Sequence, residues 1–198
     1  QSRMLLWIGG SFIVIFIAMA AFSYWEASKL IESATQREMK ALAEYHSEEI
    51  NSLVQEKSGI LEGLGQMWST ELPSDEGFSI AARDFAARDD IDGIYMGFPD
   101  RDFLYGHEKV VPRAEFDATS RPWYSIAKKN DGVQLSEVFI NKFHQKKVFA
   151  LSRALHPRDG KEAILGMDIP FSCVADKMAA FKLRDTGAAF LLDDKGRF

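Results

Sequence analysis

The sequence predicts an α+β chain, helical in its first third and built on an antiparallel sheet after that. Three observations carry this reading. No charged residue interrupts the apolar run from Met4 to Trp25. From Glu26 to Ser69 there is no proline, and apolar residues recur mostly at three- and four-residue steps. From Ile91 onward, short runs rich in aliphatic and aromatic residues are punctuated by Asp, Asn, Gly and Pro.

The first element, residues 4–25, has the length of a membrane-crossing helix, which needs about 20 apolar residues. Trp7 near one end and Tyr24 and Trp25 at the other suit the two interfaces. Ala18-Met19-Ala20 also suits a signal-peptide cleavage site, but the apolar run continues past it. Arg3 precedes the span, which favours an inside amino terminus. Residues 26–71 predict a long stalk helix. Its stripe runs through Leu30, Ala34, Leu42, Ile50, Leu53, Val54, Lys57, Leu61, Leu64 and Trp68. About 45 residues would make a rod of roughly 65 Å, and one small domain cannot cover that stripe. A second copy of the stalk is the expected partner, giving a homodimer.

Leu72-Pro73 ends the rod. Ser74 or Asp75 caps a short helix through Arg88, with Phe78, Ala81, Ala82 and Phe85 on one face. Ile91 to Phe98 and Phe103 to Tyr105 read as strands joined at Pro99-Asp100-Arg101-Asp102. A helix capped by Ser120 opens at Pro122 and stops at Asn130-Asp131-Gly132. Strands are expected over Leu135–Asn141, Lys147–Leu155 and Lys161–Ile169, then a helix from Pro170 to about Leu183. That order suggests a PAS-like five-stranded antiparallel sheet with flanking helices. Gly187 to Phe198 reads as strand, turn and strand. The chain begins at Gln1 and ends inside that turn pattern, so a piece of a longer receptor is expected.

Composition narrows the function. A net charge of −5 without a basic stripe disfavours nucleic acid as a partner. The single cysteine, Cys173, excludes an internal disulfide and a multi-cysteine metal site. No Gly-x-Ser-x-Gly elbow, paired metal-ligand histidines or phosphate loop is present, so no enzyme, metal site or cofactor is expected. Asp89, Asp90 and Asp92 form an acidic run that reads as solvated surface, since it lacks the Gly and Glu of a calcium loop.

The informative stretch is Arg121-Pro122-Trp123-Tyr124. It combines a planar fork of donors, an indole N–H with a large apolar face, and a phenol, at the start of a helix. With Gly166-Met167-Asp168-Ile169 downstream, it resembles the signature of double-Cache sensor domains, the tandem PAS-like ligand-binding regions of bacterial transmembrane receptors such as methyl-accepting chemotaxis proteins. The resemblance implies an inner-membrane receptor with a periplasmic sensor. Residues 72–170 would form the membrane-distal module, 171–186 a connecting helix, and 187–198 the truncated start of a membrane-proximal module. In amino-acid-binding members, Arg and Trp of the motif hold the ligand carboxylate, while the following Tyr and the later Asp help hold its ammonium. The matching positions are Arg121, Trp123, Tyr124 and Asp168.

Three positions depart from the family pattern: Phe116 and Phe139 stand where tyrosines are usual, and Asn141 where an aspartate is usual. Asn141 can accept from an ammonium through its carbonyl, but without charge. The resemblance therefore implies a sensor for a small carboxylate-bearing ligand, first an amino acid, with a weakened ammonium end. An organic acid, an amine, or a ligand-free structural or interaction module in which Arg121 pairs with Asp168 are the alternatives. The cytoplasmic output is not encoded in this stretch.

Overall fold

The computed structural model describes residues 2–86, 88–106, 116–158 and 160–179, without the side chains of residues 2–11, 14 and 86. The chain divides into two units, Gln1–Ser47 and Glu48–Phe198. Helix α1 runs unbroken over Ser2–Met67. In the first unit Phe12, Phe16, Phe22, Trp25, Leu30, Ile31, Met39 and Tyr45 are exposed. Among the described residues, no helix is long and apolar enough to cross a membrane. The expected span 4–25 includes side chains outside the described residues.

The second unit is an antiparallel sheet with helices. Its strands are β1 (Gly93–Gly97), β2 (Phe103–Tyr105), β3 (Gln134–Leu135), β4 (Phe139–Ile140), β5 (Lys147–Leu155) and β6 (Ala163–Pro170). The order across the sheet is β2-β1-β6-β5-β3, with β4 also paired to β5. Helices α2 (Asp75–Ala86), α3 (Pro122–Lys129) and α4 (Ser172–Ala179) complete it. The expectation of five strands is corrected to six, because the run expected over 135–141 is broken. Ser136 causes the break. Its hydroxyl accepts from the Ala150 amide at 2.9 Å, in the place of a ladder carbonyl, while its own amide donates to the Ala150 carbonyl at 2.8 Å. The chain leaves the ladder there and rejoins it at Phe139, opposite Val148.

Strand alternation sends side chains to two unlike faces. One face carries Ile94 and Met96 of β1, Phe149, Leu151 and Leu155 of β5, and Leu165, Met167 and Ile169 of β6. Leu61, Leu64 and Trp68, at and just beyond the end of α1, cover it together with Phe78 and Ala82 of α2 and Val174 of α4. Each such side chain removed from water contributes about 1.5–3 kcal/mol. The Ser74 hydroxyl accepts from the Gly77 amide at 3.1 Å and caps α2. The other face carries Tyr95, Ala150 and Ile164, covered by Trp123, Tyr124 and Ala127 of α3 and by Phe116 and Ala118. It is the polar and aromatic side.

Lys57, a member of the predicted apolar stripe, is fully buried. It pairs with Asp90 and, at 3.0 Å, with Glu56. Arg88 closes the cluster on Glu56 at 2.7 Å and on Asp90 at 3.2 Å. Asp90 is therefore not a solvated member of an acidic run. A buried ammonium is tolerable only while paired. Asp90→Ala is expected to lower unfolding free energy by on the order of 3 kcal/mol, whereas Lys57→Met should be near neutral. Urea denaturation of both variants checks the asymmetry, and equal losses would contradict it.

Candidate functional site

The site grows from the pairing of β1 with β6. Tyr95 lies directly opposite Gly166, and Gly93 opposite Asp168. A Cβ on Gly166 would come within 2.1 Å of the Tyr95 ring. The bare backbone at Gly166 thus lets that ring lie along β6, and its hydroxyl donates to Asp168 Oδ1 at 2.5 Å. The spacing of the Gly-x-Asp pattern follows, since glycine and aspartate must share one face of the strand. Gly93 does the same for Tyr105: a Cβ there would come within 2.5 Å of the Tyr105 hydroxyl.

Asp168 is 2% exposed. Its Oδ2 accepts from Asn141 Nδ2 at 2.6 Å. Burial is the main influence on this carboxyl and raises its pKa to about 7. The bonds from Tyr95 and Asn141 oppose the rise, the Asp92 charge adds to it, and Arg121 lowers it weakly from a distance. Among the described residues no cation pairs with Asp168, so its charge is met by neutral donors alone.

Asn141 sits at the head of a tight turn. Its Oδ1 accepts from the amides of Phe143 at 2.6 Å and His144 at 3.1 Å. Besides Asp168, its Nδ2 donates to Asp92 Oδ2 at 3.2 Å. Asp92 also meets His144 Nδ1 at 2.8 Å and Lys146 Nζ at 3.2 Å. Asp92 is thus a buried participant, against its expected place on a solvated surface. The Asn141 carbonyl, which could accept from a ligand ammonium, here accepts from these two backbone donors.

Arg121 is the residue that caps α3; the predicted cap, Ser120, lies in a 3-10 turn over Ala118–Ser120, and its hydroxyl donates to the Asp117 carbonyl at 2.8 Å. The half-buried Arg121 donates through Nη2 to the Ile140 carbonyl at 3.2 Å, with its guanidinium 5.3 Å from the centre of the Phe139 ring. No ion pair joins Arg121 to Asp168 among the described residues. Ile140 anchors Arg121 and the next residue, Asn141, holds Asp168, so the cationic and anionic groups are tied through adjacent positions.

The aromatic residues divide. Trp123 is buried, its ring 4.6 Å from that of Tyr95, and its carbonyl accepts from the Ser152 hydroxyl at 2.8 Å. Tyr124 is buried beside Trp123, but no described hydrogen bond joins it to Asp168. Burial raises the pKa of its phenol, and the Glu162, Asp100 and Asp117 carboxylates add to the rise. Phe116 packs on Phe103 at 4.6 Å and on Phe143 at 5.2 Å. Phe143 in turn stacks on Tyr105 at 4.3 Å.

The structure therefore joins Asn141 to Asp168 directly and brings Arg121 onto Phe139, while Phe116 and Tyr124 serve as packing neighbours. Tyr95, Tyr105, Asp92, His144 and Lys146 belong to the same network and were not expected from sequence. The signal available for Tyr95 was alternation: it shares a face with Gly93 and Gly97 and faces a glycine across the ladder.

This arrangement can be compared with known proteins. No protein-family model matches the chain, and no curated protein matches it. Solved structures do. The ligand-binding domain of the Campylobacter jejuni chemoreceptor Tlp3, in complex with 4-methylisoleucine, matches with a TM-score of 0.67 at 18% identity, covering 83% of this chain and 68% of that one. The ligand-binding domain of Mlp24 with asparagine matches with 0.68 at 17% identity, covering 80% and 67%. That of the Pseudomonas fluorescens chemoreceptor CtaA with L-isoleucine matches with 0.65 at 20% identity, covering 77% and 62%. The chain has the Cache-type fold of bacterial chemoreceptor ligand-binding domains and spans about two thirds of their length.

Gly166→Ala is expected to drive the Tyr95 ring off β6 and cost about 1–3 kcal/mol, the usual range for overpacking. Tyr95→Phe should cost less, since it keeps the ring and removes one bond. Thermal denaturation of the two variants checks the order.

Proposed function

We propose that the chain is the extracytoplasmic ligand-sensing region of a transmembrane receptor. It takes a small ligand carrying a carboxylate, first an amino acid. The observation that carries this reading is the tethered pair of Arg121 and Asp168. Arg121 spends one donor on Ile140 and keeps the rest of its fork. Asp168 is a buried carboxyl without a cationic partner among the described residues, a state that a ligand ammonium relieves. In this reading Trp123 supports the carboxylate end, Phe139 and Phe116 form the apolar wall, and Tyr124 backs Trp123. Asn141 and Tyr95 hold Asp168 in place. The fold supports the reading, since its structural neighbours are chemoreceptor domains solved with amino acids.

Isothermal calorimetry of the full chain against the common L-amino acids and small carboxylates tests this. Arg121→Ala is expected to weaken binding by roughly 30-fold or more, the cost of truncating one side of a charged hydrogen-bonded pair. Unchanged affinity in a folded variant overturns the role of Arg121. Binding of an ammonium requires ionised Asp168, and the ionised fraction grows as pH rises through the value of about 7. Affinity should therefore be about tenfold weaker at pH 6 than at pH 8. A flat profile contradicts an Asp168–ammonium contact.

The same proposal places residues 4–25 across the inner membrane and pairs two copies through the stalk. Leu30, at the start of the expected stripe, is exposed, as an apolar position awaiting a partner would be. Single cysteines from Leu30 to Leu53, in a Cys173→Ser background, are expected to cross-link in membranes with a helical period. A flat pattern argues for an unpaired stalk. The expected start of a second module at 187–198 lies outside the described residues and stays part of this proposal.

A further inference from the structure

Strands β4 and β5 are joined by the turn 141–146. Its backbone closes on itself: the Asn141 amide donates to the Lys146 carbonyl at 2.8 Å, and the Gln145 amide to the Asn141 carbonyl at 3.0 Å. Gln145 has a φ of 55°, in the left-handed region, where a residue with a side chain stays only while its surroundings hold it. Two buried acids supply the polar hold. Asn141 Nδ2 donates to both Asp92 and Asp168. Asp92 also meets His144 and Lys146 of the same turn, and Asp168 meets the Tyr95 hydroxyl. The backbones of the two acids are joined as well, since the Asp92 amide donates to the Asp168 carbonyl at 2.8 Å.

The charges in this cluster are uneven. The Lys146 ammonium lies on the Asp92 side. The charged groups that act on Asp168 are Asp92, which opposes its ionisation, and Arg121, which favours it from a distance. Tyr95 of β1 and Asn141 are its neutral donors. Burial, and after it the charges of Asp168 and Asp92, push the Tyr105 phenol up, so β2 presents a neutral neighbour. Of the two acids, Asp168 is therefore the one placed to take a proton.

A proton there weakens the hold on the turn in two ways. A hydrogen bond to a carboxylate is roughly twice as strong as one to a neutral acid, so the Asn141 contact loses strength. The new O–H also needs an acceptor. If it donates to the Tyr95 oxygen, that phenol gives up its own bond to Asp168. If it donates to Asp92, it competes with Asn141, His144 and Lys146, which are the groups of the turn.

We infer that the turn 141–146 is a proton-operated latch: Asp168 takes one proton from solvent, its carboxylate becomes a neutral acid, and the turn loosens from β6 and from the start of β1. The step moves a proton and no electrons. It needs no organic ligand, so it goes beyond the sensor reading and makes acidity itself an input to this face of the sheet. Burial, the main influence on Asp168, sets the change at about pH 7. A carboxyl gains its proton as pH falls, so the latch is closed above that value and open below it.

Hydrogen exchange of the full chain, read by mass spectrometry at pH 5.5 and pH 8.5 and corrected for the intrinsic pH dependence of exchange, tests this. Protection over 141–146 is expected to be about threefold or more lower at pH 5.5. A smaller drop, no change or a gain overturns the latch. A gain has a definite source, because histidines acquire charge in this range and a charged His144 would tighten its pair with Asp92. His144→Gln is therefore expected to keep the loosening, and loss of the response in that variant overturns Asp168 as the seat of the proton. Asp168→Asn imitates the neutral acid. It should show at pH 8.5 the low protection that the unaltered chain shows at pH 5.5, and a full pH response in this variant overturns the inference. Should Asp168→Asn not fold, the unaltered chain and His144→Gln decide. No amino acid is present in these measurements, so failure of the latch leaves the sensor reading standing, and failure of the sensor reading leaves the latch.

Discussion

Everything on the polar side of the sheet depends on the closed set of four hydrogen bonds made by Asn141. Two of them shape the turn that presents His144 and Lys146 to Asp92. The other two bridge Asp92 to Asp168, two carboxylates whose mutual repulsion raises the pKa of Asp168 further. An amide is the side chain that can do both, since it offers donors to the acidic side and acceptors to the backbone side. An aspartate would have no donors for the bridge unless it kept a proton. The departure at this position is therefore part of a rearranged network, and it cannot be read as a missing charge in an otherwise standard one.

Sequence made the outer design legible. The proline-free stripe of α1, the strand expected over Lys147–Leu155 and the turn chemistry around Asp100 each follow from one local rule, and each element formed at that place. Arg121-Pro122-Trp123-Tyr124 also fell where expected, at a helix start. The failures share one cause: a side chain whose partner is distant in sequence. Lys57 looked like a gap in an apolar face until Asp90 arrived beside it. Asp92 looked solvated because its neighbours in sequence are acidic, while its actual partners come from 141–146. The broken strand at Ser136 is of the same kind, since a hydroxyl replaces a ladder carbonyl only once Ala150 lies opposite.

The candidate site was half legible for a related reason. Motif residues identify the position of the charged groups but not what already occupies their bonding capacity. Arg121 and Asp168 could be named from sequence. That Tyr95, not Tyr124, bonds Asp168 depends on the register of β1 against β6, and a slip of one residue would send Tyr95 to the opposite face. The glycine at 166 marks that register, because only a position without a side chain admits the ring.

The register has one more consequence. Strand β6 has neighbours on both sides, β1 and β5, and all eight of its residues are buried. It puts Asp168 on the polar face, and Met167 and Ile169 on the face covered by the end of α1. It then leads through Phe171 into α4, where Lys177 meets Glu49 of α1 at 2.5 Å and Val174 joins the apolar core. The buried carboxyl and the helix are thus connected by one short, rigid run of chain. Close-packed interiors adjust in discrete steps and do not deform freely. Asp168 thus meets Tyr95 of β1 and Asn141 on the polar face, while α1 and α4 pack on the reverse of the same strand.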